Sequence, residues 1–165
     1  VTDALRREAE SLLERLTVTQ GRDALRAMEQ WVAFLARSPE ATGDVLAELL
    51  AATPPGESRR LESLVAGLGW RRGAAARERL EALLVTPELP FGREDVVVAL
   101  GRIADARSVP ALLAAAALED EFGSLGVKIA QALGGIEGSR PALEALARSE
   151  LENVREAARR ALETH

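Results

Sequence analysis

The sequence predicts an all-α fold built as a stack of about four to five helical hairpins. Three observations lead there. Hydrophobic residues make up 47% of the chain and aromatics only 3%, and the apolar residues are mostly Ala and Leu. That balance suits close-packed helices better than sheets, which draw on β-branched and aromatic side chains. Apolar positions recur at i, i+3, i+4 and i+7 along most of the chain, the period of an amphipathic helix. A landmark also repeats: Leu35, Leu68, Leu100, Leu133 and Leu162 are separated by 33, 32, 33 and 29 residues, the self-similarity of a helical repeat array. The clearest copies are VVALGRIADARSVPALLAAAA (97–117) and QALGGIEGSRPALEALA (131–147). In each, an apolar helix reaches Leu-Gly, a polar turn follows, and a second helix opens near Pro110 or Pro141.

The elements follow in order. Asp3 caps a first helix whose Leu5, Ala9, Leu12, Leu13 and Leu16 share one face, and the chain breaks at residues 17–21. A second helix from Asp23 carries Leu25, Met28, Val32 and Leu35 inward with Trp31 and Phe34 flanking, and Ser38-Pro39 stops it. Thr42 or Asp44 starts a helix through Leu50, closed by Thr53-Pro54-Pro55-Gly56. Glu57 or Ser58 opens the next, with Leu61, Leu64, Val65 and Leu68 inward. A helix through Leu80, Leu83 and Leu84 ends at Thr86-Pro87. The remaining helices are expected over about 91–103, 108–118, 122–136, 139–148 and 151–163. These ten helices form one domain over 1–165, with a capping helix in 1–20, repeats in 21–150 and a terminal helix in 151–165. That terminal helix matches the first helix of a unit, so it either closes the stack or continues into a longer parent chain. Each hairpin leaves an apolar side that only its neighbour can cover.

Charge and inventory exclude several functions. Twenty-one basic and 26 acidic residues give a net −5, a field that repels phosphate backbones. Residues 57–107 hold nine arginines against eight acids, a net +1, while the flanking segments each carry −3; this is the one footing for nucleic acid. With no cysteine and a single histidine, His165, thiolate chemistry and histidine-based metal sites fall away, and a serine nucleophile has no base inside the domain. No cofactor or metal is expected. No apolar run nears the roughly 20 residues that span a bilayer, and the amino end lacks signal-peptide order. A cytoplasmic protein that binds another protein is the expectation, with nucleic acid, membrane and small molecules disfavoured as partners.

The Leu-Gly ending of the first helix, Asp105 in the turn, Val109-Pro110-Ala111-Leu112 opening the second helix, and the tail Val154–Leu162 together resemble the HEAT repeat, specifically the bacterial HEAT-like subtype of the phycobilisome-lyase kind. The resemblance is good over 97–162, weaker over 56–85, and confined to spacing before that. It implies a right-handed α-α superhelix, of HEAT-like or armadillo type, whose second helices line a concave face, and a scaffold or adaptor without catalysis that binds a partner protein on that concave second-helix face. Gly126 stands where the family usually has the arginine that Arg155 supplies in the last helix, so a turn-bracing contact is expected to be missing there. The deoxyhypusine hydroxylase type, which is similar in fold, needs paired His-Glu ligands that His165 alone cannot supply. An accessory subunit of a bilin-lyase-like enzyme is the alternative. A DNA-binding HEAT-like protein ranks below it, because the Trp, Asp and Arg set of the alkylpurine glycosylases has no counterpart here.

Two surfaces stand out as partner-binding candidates. The helix at 108–118 has no polar face, since Ala111 and Ala114 through Ala117 surround it. A helix apolar all round is normally covered on both sides. Either alanines simply let adjacent hairpins approach, or Ala114 and Ala117 meet a partner, flanked by Arg77 and Glu81 on one side and Glu144 and Arg148 on the other. Trp70, beside Arg71 and Arg72, has the composition of a binding hot spot. It could instead shift to fill the core hole left where this unit has Arg71 and later units have Ile103 and Ile136. The carboxylates Glu119-Asp120-Glu121 could bind a cation or a basic partner, or form a solvated tip that favours the positive start of the following helix, and Glu94-Asp95 has the same two readings.

Overall fold

The computed structural model describes residues 2–37, 39–87, 89, 91–118 and 123–165, with backbone alone at 39 and 40. Among the described residues there are ten α-helices and no strand. The chain forms two compact units, Val1–Ala76 and Arg77–His165.

The first unit contains α1 (Thr2–Val18), α2 (Gly21–Leu35), α3 (Pro39–Ala52) and α4 (Ser58–Arg71), followed by a 3-10 turn at Ala74–Ala76. α3 opens at Pro39 itself rather than at Thr42 or Asp44: a first-turn proline has no N–H to waste and a φ already suited to a helix. α1 packs on α2, α3 and α4, and α3 lies along α4 and the 3-10 turn. Ala9, Leu12, Leu13, Trp31, Phe34, Leu35, Leu46, Leu50, Leu61, Leu64 and Leu68 form the buried core. Trp31 and Phe34 stack with centroids 5.5 Å apart. The expected inward stripe of α2 is therefore rotated. Leu25, Met28 and Val32 are 67%, 49% and 41% exposed, whereas Ala27, Trp31, Phe34 and Leu35 are buried. The larger aromatic surface takes the core, because it removes more apolar area from water.

The second unit contains α5 (Arg77–Leu84), α6 (Arg93–Ile103), α7 (Val109–Ala115), α8 (Ser124–Leu133), α9 (Arg140–Leu146) and α10 (Glu152–Thr164). α6, α8 and α10 pack side by side as one row, and α7 touches α5, α8 and α9. α7 is shorter than the sequence suggests, with 3-10 turns at Ala106–Ser108 and Ala116–Leu118 completing the expected span. α6 starts at Arg93. Phe122 and the carboxylates Glu119, Asp120 and Glu121 lie outside the described residues.

The leucine register holds within each unit: Leu35 and Leu68 are buried in the first, Leu100 and Leu133 in the second, and Leu162 in the last helix is half-buried. Leu-Gly sits inside the last helical turn at Gly69 and Gly101. The stop comes later, at left-handed Arg72 (φ 50°) and Ala104 (φ 57°), whose N–H groups donate to the carbonyls of Leu68 and Leu100. Seven residues before its leucine, Arg155 donates to the carbonyls of Ser149 (2.8 Å) and Glu150 (2.7 Å). Arg93 stands at the same offset from Leu100 and donates to Leu84 (3.1 Å), Thr86 (2.7 Å) and Pro87 (3.2 Å). Each guanidinium thus gathers the loose carbonyls of the preceding helix end and turn, groups that a helix cannot satisfy itself. Gly126 holds the intermediate position and, without a side chain, cannot make that brace.

Candidate functional site

In the first unit, an apolar groove of about 510 Å³ opens between α2 and α4, with the end of α1 completing it. One wall is Ala24, Met28, Trp31, Val32 and Leu35; the other is Arg59, Glu62, Ser63, Ala66 and Trp70. Arg59, Ser63, Ala66 and Trp70 fall at i, i+4, i+7 and i+11, one stripe of α4. Helical phase explains why Trp70 belongs to it. At 100° per residue, Trp70 lies on roughly the opposite side of α4 from Leu61, Leu64, Val65 and Leu68.

The core-plugging reading of Trp70 is accordingly corrected: the side chain is 57% exposed, while Trp31, on the other wall, is 2% exposed. Arg71 is partly buried and Arg72 exposed. Neither lines the groove. Of that trio, the structure brings Trp70 alone into an apolar concavity.

The second candidate group lies in the second unit. Ala114 and Ala117 are exposed, Leu112 and Ala115 buried, and Leu118 is 49% exposed, so one side of α7 does offer small apolar residues to water. Glu144 and Arg148 are exposed on and just after α9, and Glu144 pairs with Arg140 at 3.2 Å. Arg77 and Glu81 serve a different purpose from a free rim. Arg77 Nη1 donates to both Glu81 oxygens (2.8 and 2.9 Å), and Ser108, fully buried, donates through Oγ to Glu81 Oε1 at 2.8 Å. Asp105 Oδ2 lies 3.8 Å from Arg77 Nε and 2.6 Å from Arg107 Nη2. The side-chain bond from Arg107, reinforced by the Arg107 N–H, holds the Asp105 carboxyl down at about 2. Asp105 caps the 3-10 turn, and the whole cluster pins that turn to α5. Its carboxylates are paired with the guanidiniums of Arg77 and Arg107.

Among the described residues, no group of three or more His, Asp and Glu side chains could hold a metal ion, and no helix is long and apolar enough to cross a membrane.

Sequence reasoning missed the α2 wall and Arg93. The α2 signal was the width of its apolar arc: Ala24, Leu25, Ala27, Met28, Trp31, Val32, Phe34 and Leu35 cover more of the helix than one buried face needs. Arg93 was reachable by counting seven residues back from Leu100, as for Arg155.

Comparison with protein-family models and with curated proteins gives no match. Among solved structures, the chain is similar to a designed armadillo repeat protein at 18% identity, covering 99% of this chain and 92% of that one, with a TM-score of 0.50. That likeness shows the fold class, an α-helical repeat solenoid.

Proposed function

We propose that this protein is a non-catalytic interaction scaffold or adaptor, of the HEAT-like repeat subtype and cytoplasmic, whose partner is another protein. The observation that carries the reading is the groove between α2 and α4, which are the leucine-bearing first helices of their repeats rather than the second helices expected to form the binding face. Met28, Val32 and Trp70 face water around one concavity, and Leu25 extends the exposed apolar stripe of α2. Contiguous exposed apolar surface of this kind marks interaction sites, and a half-exposed Trp is a preferred anchor. The HEAT-like assignment is supported by the Leu-Gly spacing and by the shared offset of Arg93 and Arg155. The absence of catalysis is supported by the engagement of the Arg77–Glu81–Asp105 cluster in turn bracing.

The test is affinity capture from the source cell with three versions of the full chain: wild type, Val32→Asp/Trp70→Ala, and Ala114→Arg. The expected result is a protein retained by wild type and by Ala114→Arg but lost with the groove variant. Loss with Ala114→Arg alone, in a folded protein, would move the site to the alanine side of α7. Retention by all three would overturn the groove reading.

A further inference from the structure

We propose that the groove between α2 and α4 receives an amphipathic helix of the partner, about three turns long, with an acidic residue at the end that lies over Arg59. This rests on reading the groove as a protein-binding face. The late turns of the two helices meet: a methyl on Gly67, late in α4, would lie 3.1 Å from Leu35 Cδ2 and 3.4 Å from Trp31 Cζ2, both late in α2. The groove is therefore graded. Thr19, Gln20, Arg59, Glu62 and Ser63 make one end polar, while Val32, Leu35, Ala66 and Trp70 make the other apolar.

Length and shape select the occupant. From Arg59 to Trp70 is eleven residues, about 16 Å at 1.5 Å per residue, which a helix of about three turns matches. Side chains on a helix surface form ridges that fill the space between two neighbouring helices. A second copy offers the same concavity, and two concavities leave each other empty.

Charge sets the direction. α4 opens with Ser58-Arg59-Arg60 and has no acid in its first turn, so two guanidiniums sit at the positive end of the helix dipole, where anions are favoured. Glu57 lies 3.7 Å from Arg60 Nε, but Arg59 has no ion pair among the described residues. A partner carboxylate placed there answers both Arg59 and the dipole. Glu62, one turn further along, favours a basic or neutral residue at the next position.

The probe is a displayed library of helical peptides of about sixteen residues, selected on the full chain and counter-selected on Val32→Asp. Labelled winners are then measured by anisotropy. Enriched peptides are expected to carry apolar residues at i, i+3 or i+4, and i+7, with an acid one turn before the first anchor. Their affinity should fall about tenfold or more on Trp70→Ala. Arg59→Glu should reject the acidic peptide and accept its lysine counterpart. Winners without helical spacing, winners indifferent to Arg59→Glu, or no winner dependent on Val32 would each overturn the helix inference. The capture experiment would still succeed for a partner that binds in another conformation, so the two failures are distinguishable. A wild-type chain that sediments as a dimer, dissociated by Val32→Asp, would assign the groove to a second copy and also overturn it.

Discussion

Gly101 and Ala132 touch so closely that a Cβ on Gly101 would lie 2.7 Å from Ala132 Cβ and 2.9 Å from Ala132 Cα. In the next pair of helices, a Cβ on Gly134 would lie 3.1 Å from Ala161 Cβ. In both, the residue after one repeating leucine faces the residue before the next. The recurring Leu-Gly is thus a crossing point between neighbouring first helices. Gly101→Ala should destabilise the protein by about 1–2 kcal/mol, overpacking outweighing the gain in helix propensity. Gly135→Ala meets only an ordinary 3.7 Å contact and should be near neutral. Urea midpoints of the two variants check this.

Arg93 and Arg155 each tie down backbone carbonyls of the turn before their helix. Replacing either with alanine should cost about 1–2 kcal/mol, since charge-assisted bonds are lost but both sites are partly open to water. Lysine should restore only part of it, because one ammonium cannot reproduce the fork of a guanidinium. Denaturant unfolding of the alanine and lysine variants measures both effects.

Asp105 supplies a pH signature. Its folded pKa of about 2 lies below the ordinary 3.8, so it contributes stability that is present above about pH 4 and lost as pH falls towards 2. Wild type should lose stability across that window more steeply than Asp105→Asn. Equal slopes in urea titrations at stepped pH would deny Asp105 that role.

Ala104 and Arg72 hold left-handed conformations at exposed helix ends. Glycine adopts that geometry without the Cβ penalty, so Ala104→Gly should stabilise by about 0.5–1 kcal/mol. A raised thermal midpoint is the expected reading.

The two tryptophans should separate in solution. Iodide should quench a Trp70 component and leave Trp31 emission intact, and Trp70→Phe should abolish the quenchable fraction. Uniform resistance to iodide would return Trp70 to the core.

Helix number and leucine register were legible because each helix repeats a strong period and a breaker separates each from the next. Boundaries moved where local chemistry had two solutions, as at Pro39, which can end one helix or begin the next. The site was harder to read. Trp70 carried the right composition, but exposure depends on helical phase relative to a neighbour, and a hole at Arg71 suggested the opposite. On α2, every large apolar residue could face inward by pattern; only the competition between Trp31-Phe34 and Leu25-Met28-Val32 for one core decides. The alanines of α7 were recognisable as unusual, and Ala114 and Ala117 are exposed. The flanking Arg77 and Glu81 are spent on Ser108 and Asp105, a role that arises from contacts far apart in sequence.

The most direct measurement places a photo-crosslinking residue at Met28, and separately at Ala114, in the full chain within its source cell. An adduct to one protein from position 28, absent from position 114 and lost on Trp70→Ala, is what the groove account predicts. Adducts from position 114 with none from position 28 would contradict it.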